Sequence, residues 1–328
     1  MSPMEYRLLG QTGIKVSCLC MGTMTFGREA DEETSAAIFH KCRDVGINFF
    51  DCANMYAQGR SEEILGKLIA DCRNDVIITS KVFAATGPGV NDRGLSRRHM
   101  TLAVEQSLKR LNTDRIDIYY LHNFDPSLPI EEPLRTLDDL VRQGKIVYPA
   151  CSNFAAWQIA KALGIQEFKG LARFAYIQPM YNLVKRQAEV EILPLALAEK
   201  VGVASYGPMG GGLLSGKYGK ERKPDQGRIV ENQVYARRYE DAINYEVAER
   251  FAAYAEAHGV RPSALAVAWV MSHPAITAPI IGARNVTQLE ETLGALDIKM
   301  TPEWRAEISA LSPEPPPATD RTELRSTA

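Results

Sequence analysis

Charge, metal-ligand patterns and membrane-like segments are all in short supply in this chain of 328 residues, and each shortage removes a class of function. The 38 Lys and Arg nearly balance the 40 Asp and Glu, which leaves no basic stripe to track a nucleic-acid backbone. The six cysteines (Cys18, Cys20, Cys42, Cys52, Cys72, Cys151) show no paired zinc spacing, and none has a histidine nearby at ligand distance, so no metal site is expected. Several of them fall in apolar segments, where a free cysteine behaves as a small buried hydrophobe. Reduced thiols and a cytoplasmic location follow as expectations. No apolar run approaches the length of a membrane span, and the opening MSPMEYRLLG lacks the apolar stretch of a signal peptide. Neither nucleic acid nor a membrane is therefore expected as a partner. No repeat of fixed period runs through the chain. One phosphate-loop pattern is incomplete: Gly211 to Lys217 fits as far as its lysine, but Tyr218 stands where a magnesium-binding hydroxyl is required.

What the chain does have is a series of short apolar runs that end on polar residues. Eight strands are expected, at Cys18–Met21, Ile47–Asp51, Val76–Lys81, Ile116–His122, Ile146–Cys151, Phe174–Gln178, Val201–Ser205 and Ile276–Ile281. Near-continuous apolar runs are the mark of parallel strands buried on both faces. Between them, apolar residues recur at helical spacing, as in Ile38, Cys42 and Val45, in Val104, Leu108 and Leu111, in Leu134, Leu137, Leu140 and Val141, and in Val286, Leu289, Leu293 and Leu296. A helix after each strand predicts an α/β fold, a (β/α)8 TIM barrel, with the polar strand ends gathered on one rim. Tyr6–Leu9 and Ile14–Ser17 flank Gly10-Gln11-Thr12-Gly13 and predict a β-hairpin capping the other end. One domain is expected over residues 1–312, with a disordered tail at 313–328 that opens on Pro313 and Pro315-Pro316-Pro317. Lys217 to Asn244, after the seventh strand, is long, charged and rich in Gly, Pro and Arg. A loop of that length is usually functional or disordered, and this one is expected to overhang the polar rim.

The stretch from Asp51 through Tyr56 to Glu62 closely resembles the signature of the aldo-keto reductase family. So do Gly10-Gln11-Thr12-Gly13, Gly22-Thr23-Met24, Leu121-His122, Ser152-Asn153-Phe154, Gln178 with Tyr181-Asn182-Leu183, and Gly212 to Tyr218. The likeness covers residues 5 to about 297, in register with the expected barrel. It implies a barrel that binds NADP(H) without a Rossmann unit, and no Gly-x-Gly-x-x-Gly opens a helix after the first strand.

Carried over, the family's catalytic set falls on Asp51, Tyr56, Lys81 and His122. Reducing a carbonyl needs a hydride at carbon and a proton for the developing alkoxide. The resemblance makes Tyr56 the proton donor, Lys81 the charge that eases loss of its proton, Asp51 the carboxylate that holds Lys81, and His122 the group orienting the carbonyl. Each residue also has a plainer reading: a structural ion pair for Asp51 and Lys81, a satisfied strand-end histidine, a rim tyrosine.

The same resemblance assigns Ser152, Asn153 and Gln178 to the nicotinamide carboxamide and Tyr206 to stacking on its ring, although Tyr206 also fits strand-end packing. It assigns further cofactor contacts to Gly22, Thr23, Met24, Asp51, Gly207, Pro208, Met209, Gly210, Gly212, Leu213, Ser215 and Lys217. Gly282, Arg284, Gln288, Glu291 and Thr292 complete the set, Arg284 being the residue that meets the 2′-phosphate or, alternatively, a solvated helix-start charge. Two departures stand out. Gly207 replaces the family's usual Ser, which leaves any phosphate contact there to backbone N–H groups. Thr292 replaces a common Asn against the adenine. Met24, Phe83 and Asn123 are the candidate substrate residues, and Arg222, Arg228, Arg237 and Arg238 with Tyr235 hint at a hydroxylated or anionic carbonyl compound, or else form a solvated charged loop. Two rivals stay open. Lys81 could be the nucleophile of a Schiff-base aldolase, or the chain could be a non-catalytic NADP-binding regulatory subunit like the potassium-channel β-subunits in the family, which generally lack the histidine. A homo-oligomer is compatible with the sequence.

Overall fold

The computed structural model describes residues 2–319. An antiparallel hairpin, β1 (Tyr6–Leu8) and β2 (Lys15–Ser17), leads into eight parallel strands. These are β3 (Cys20–Gly22), β4 (Phe49–Asp51), β5 (Ile77–Val82), β6 (Ile116–Leu121), β7 (Ile146–Ser152), β8 (Tyr176–Gln178), β9 (Gly202–Tyr206) and β10 (Ala278–Ile281). Strand β10 pairs with both β9 and β3, which closes the ring. The expected (β/α)8 TIM barrel is therefore present, with strand ends displaced by up to two residues from the sequence reading.

Helices α1 (Glu32–Asp44), α2 (Arg60–Leu68), α3 (Arg97–Leu111), α4 (Glu131–Arg142), α5 (Ala156–Lys169) and α6 (Ile192–Ala198) follow β3 to β8 in turn. Their bounds have local causes. Asp31 and Ser96 cap α1 and α3 by accepting from the N–H of Thr34 and His99, and α3 stops at Asn112, which turns left-handed at φ 48°. The apolar faces read from the sequence are buried against the sheet, among them Ile38 and Cys42, Val104 and Leu111, Leu134 and Leu137.

Alternation along the strands divides the core in two. Phe50, Tyr119 and Leu121 join the outer layer beneath the helices, whereas Phe49, Ile118, Tyr120, Ala150 and Tyr176 fill the barrel. The hairpin side chains Leu9 and Val16 are fully buried in that inner cluster and plug its N-terminal end, as the hairpin expectation has it. Asp51 and Lys81 each lie on the inward parity of their strands, two and four residues beyond inward Phe49 and Ile77. The plug closes one end of the barrel, and the polar residues collect at the other.

The segment after β9 is not structureless. It contains two short helices, α7 (Arg228–Glu231) and α8 (Gln233–Arg238), before α9 (Ala242–Ala257) and α10 (Pro262–Met271) resume the barrel pattern. Asn232 starts α8 by accepting from the N–H groups of Val234 and Tyr235. After β10 come α11 (Val286–Leu293), capped by Asn285, and α12 (Pro302–Ser309). Residues 313–319 form no helix or strand, and the rest of the expected tail, 320–328, lies outside the described residues. Among the described residues no helix is long and apolar enough to cross a membrane. All six cysteines are free and five are buried.

Candidate active site

The C-terminal ends of the strands open into a cavity of about 640 Å³, within the usual range for small-molecule sites. Its floor is built around one ammonium. Lys81, fully buried on β5, donates to Asp51 Oδ2 at 2.6 Å, to the backbone oxygen of Cys52 at 2.7 Å and to Tyr56 Oη at 3.3 Å. An ammonium has three protons, and here each has an acceptor. Asp51 is held from the other side, its Oδ1 accepting from Thr79 Oγ1 and Gln178 Nε2, both at 2.8 Å. Thr79 is a supporting residue that sequence reasoning missed. Its position two residues before Lys81, on the same inward parity, was the available signal.

The ionisation of these groups follows from their surroundings. Burial pulls the Lys81 ammonium toward losing its proton, but the Asp51 carboxylate and the Tyr56 oxygen outweigh that pull and the net shift is upward. Burial raises Tyr56 most, against the lowering effect of Lys81, and the phenol ends at about 12. The sequence expectation that Lys81 eases proton loss is right for that one interaction. Desolvation dominates the sum, so Tyr56 holds its proton at neutral pH. Because Tyr56 Oη accepts from Lys81, its own O–H is the donor left over for the cavity.

His122 follows β6 directly and faces Tyr56 edge-on, with ring centroids 6.4 Å apart. Burial, then the Lys81 charge, pushes its pKa down to about 3. Its Nδ1 is buried without a partner, which leaves Nε2 as the nitrogen with access to the cavity. His122 is thus a neutral imidazole and not an acid of the ordinary histidine range near 6.5. A pH profile of kcat between about pH 5.5 and 8 is accordingly expected to be flat with respect to His122. An inflection near the ordinary histidine value that disappears in His122→Gln would contradict this.

The turn that carries Tyr56 is strained. Ala57, Gln58 and Gly59 are consecutively left-handed, at φ 48°, 57° and 94°. Such conformations cost on the order of 1–3 kcal/mol at a non-glycine residue and persist only where the surroundings impose them. The surroundings here are a fully buried Glu62 at the start of α2, which accepts from Ser80 Oγ at 2.5 Å and from Arg110 Nε at 2.7 Å. That tie pins the turn to β5 one residue before Lys81.

The rim cross-links itself through Asn153, itself left-handed at φ 58°. Its Nδ2 donates to the backbone oxygen of His122 at 2.9 Å and to Ser152 Oγ at 3.2 Å, and its Oδ1 accepts from the Tyr206 hydroxyl at 2.7 Å. Ser152 Oγ donates in turn to the backbone oxygen of Gln178 at 2.9 Å. Of the three residues assigned to an amide ligand, Gln178 keeps a free polar atom. Its Nε2 is committed to Asp51, so the atom remaining is the acceptor Oε1.

Most of the other candidate residues also line the cavity: Gly22, Met24, Asn123, Gly207, Pro208, Met209, Gly212, Ser215, Lys217, Gly282, Arg284, Gln288, Glu291 and Thr292. Four do not. Thr23 is buried with its hydroxyl on the Asp51 backbone oxygen at 3.1 Å, and Gly210 and Leu213 are buried beneath the wall. Phe83 packs against the outer core; β5 ends at Val82, so the alternation that would return Phe83 to the side of Lys81 is lost. Gly207 sits at φ 67°, a conformation that favours glycine over the serine usual in the family.

Arg284 has company. Its guanidinium donates to Glu231 on α7 at 2.7 Å, joining the segment after β9 to the end of β10 across the cavity mouth. That segment also contributes Gln226, Arg228, Val234, Tyr235, Arg238 and Tyr239 to the walls.

A family model described as Aldo/keto reductase family matches residues 18–313. Curated relatives align over nearly their whole length. A probable voltage-gated potassium channel subunit beta of Arabidopsis thaliana is 38% identical over 90% of this chain and 92% of its own. An uncharacterized oxidoreductase of Bacillus subtilis, YrpG, is 36% identical over 95% and 97%. Versiconal hemiacetal acetate reductase of Aspergillus parasiticus is 30% identical over 92% and 94%.

Proposed function

The chain belongs to the aldo/keto reductase family, and from that membership we propose that it reduces an aldehyde or ketone to an alcohol with NADPH. The observation that carries the reading is the filled donor set of Lys81, which leaves Tyr56 O–H as the proton source at the cavity floor. Bound NADPH supplies the hydride. Tyr56 gives its proton to the developing alkoxide, and the adjacent ammonium of Lys81 stabilises the phenolate that results. Neutral His122 offers Nε2–H to the same oxygen and fixes its place. Asp51 keeps Lys81 charged and in position. The catalytic unit takes in residues 1–312, and the free, mostly buried cysteines fit a reducing cytoplasm.

The residues present fit the cofactor. Gln178 offers an acceptor for an amide N–H, and Tyr206 provides a ring at the same end. Lys217 and Arg284 bring positive charge to the far walls, where Gln288, Glu291 and Thr292 would meet the adenosine. Arg284→Ala is expected to weaken NADPH binding about 10- to 100-fold, the size of one charge-assisted contact, while changing NADH little. Glu231→Gln should shift preference the other way, since it removes the carboxylate that the 2′-phosphate must displace. Equal losses of both cofactors in Arg284→Ala, measured by fluorescence titration, would reduce Arg284 to a support of the fold.

Two other readings fare less well. An aldolase lysine must be free to lose its proton and attack, whereas Lys81 is held charged by three acceptors. A regulatory subunit is favoured by the name of the Arabidopsis thaliana relative. Against it, the intact set of Asp51, Tyr56, Lys81 and His122 supports an enzyme.

A further inference from the structure

The segment after β9 carries four arginines between Arg222 and Arg238, and the structure treats them differently. Arg222 and Arg237 are exposed and stand outside the cavity, whereas Arg228 and Arg238 line it. Arg238 lies deepest in the chemistry. Its guanidinium is half-buried, 4.9 Å from the ring centroid of Tyr235 and 5.9 Å from that of Tyr206. Tyr206 is the ring whose hydroxyl reaches Asn153, and Asn153 holds the backbone of His122. The charge therefore stands at the reaction end of the cavity. Arg284, Gln288, Glu291 and Thr292 mark the other.

Arg238 also lacks what a structural arginine of this kind needs. Among the described residues no carboxylate lies within ion-pair distance of it, and no backbone or side-chain oxygen accepts from it. Arg284 by contrast pairs with Glu231, and Arg186 with Glu189 at 2.8 Å. Two tyrosine rings flank the guanidinium at these distances while its five N–H groups stay unfilled. A planar fork of donors, flanked by two rings and partly removed from water, is a receptor for a carboxylate. Met24, Met55 and Val234 give the cavity apolar walls. Arg228 also lines it, 5.3 Å from the Tyr235 ring centroid, but of the two arginines Arg238 alone also meets Tyr206.

We propose that Arg238 is the anion receptor of the substrate subsite, and that the preferred substrates are carbonyl compounds that carry a carboxylate separated from the reacting carbon by an apolar spacer. The assignment rests on the carbonyl-reductase reading above. It differs from a general attraction of anions by a charged loop, because one arginine is singled out and Arg222 and Arg237 are predicted to be silent.

The test compares 4-carboxybenzaldehyde with its neutral counterpart 4-methylbenzaldehyde, using NADPH and the full-length protein. The wild type is expected to favour the carboxylated aldehyde in kcat/KM. In Arg238→Gln that preference should fall about 10- to 100-fold, the scale of a charge-assisted pair, with the loss in KM and none in the dissociation constant of NADPH. Arg237→Gln should keep the wild-type preference. A preference unchanged in Arg238→Gln, or a loss shared by both aldehydes, would overturn the proposal. So would a weaker NADPH complex, which would move Arg238 to the cofactor site. Calorimetry with 4-methylbenzoate and its neutral counterpart 4-methylbenzamide, which carry no carbinol to be oxidised, on the protein saturated with NADP+, reads the receptor without turnover. If neither aldehyde is reduced but the benzoate binds more tightly in an Arg238-dependent way, the reductase reading fails and the receptor stands. If both aldehydes are reduced and neither ligand is preferred, the receptor fails and the reductase reading stands.

Discussion

Tyr56→Phe is expected to lower kcat by about 10²-fold or more while NADPH still binds, since loss of a positioned general acid is typically worth 10²–10⁴. The substitution keeps the ring, its contact with the core and its edge-on approach to His122, and removes one oxygen. No other group at the cavity floor can replace that proton. Lys81 has its three protons committed, and His122 is neutral above about pH 3. A Phe variant that turns over within a few-fold of wild type in single-turnover measurements would remove Tyr56 from the mechanism.

Lys81→Met is expected to be costly for stability as well as rate. The ammonium and the Asp51 carboxylate are 2.6 Å apart, and their side chains are 0% and 4% exposed. Pairing two charges out of water adds little net stability, but removing one partner strands the other, at about 3–5 kcal/mol. For a chain of this size that is a fall in Tm of about 5 °C. Thr79 and Gln178 still donate to Asp51 and limit the damage, and protonation of the carboxylate limits it further. The added change Asp51→Asn should therefore restore part of the lost stability without restoring activity. Thermal unfolding of the two variants measures this. A Lys81→Met protein within about 1 kcal/mol of wild type would show that the pair is not enclosed as described.

The barrel was legible because its strands are buried on both faces and its helices on one, so period and length separate them. The catalytic side chains were legible because each ends such a run or, like Tyr56, follows one closely. What escaped the sequence were contacts between residues on non-adjacent strands and loops. Gln178 was read as a ligand of an amide, and nothing local indicates that its Nε2 belongs to Asp51, 127 residues away. Arg284 was read as free for a phosphate, yet it meets Glu231 from a segment whose short helices have little intrinsic stability and are held by tertiary contacts. The net ionisation of Tyr56 was not legible for a related reason: the lowering effect of the neighbouring lysine is visible in the motif, but the depth of burial that outweighs it is not. Phe83 was placed in the site by its closeness to Lys81, and a strand that stops one residue earlier sends it elsewhere.

Hydride transfer to a carbonyl carbon is the central claim, and isotopic labelling tests it directly. The protein is incubated with an aldehyde and NADPH deuterated at the transferable position of the reduced nicotinamide, and the products are analysed by mass spectrometry. An alcohol carrying one deuterium on its carbinol carbon is expected, formed in step with NADP+ and abolished by Tyr56→Phe. Oxidation of NADPH without labelled alcohol, or no turnover of any aldehyde or ketone by a protein that binds NADPH tightly, would contradict it.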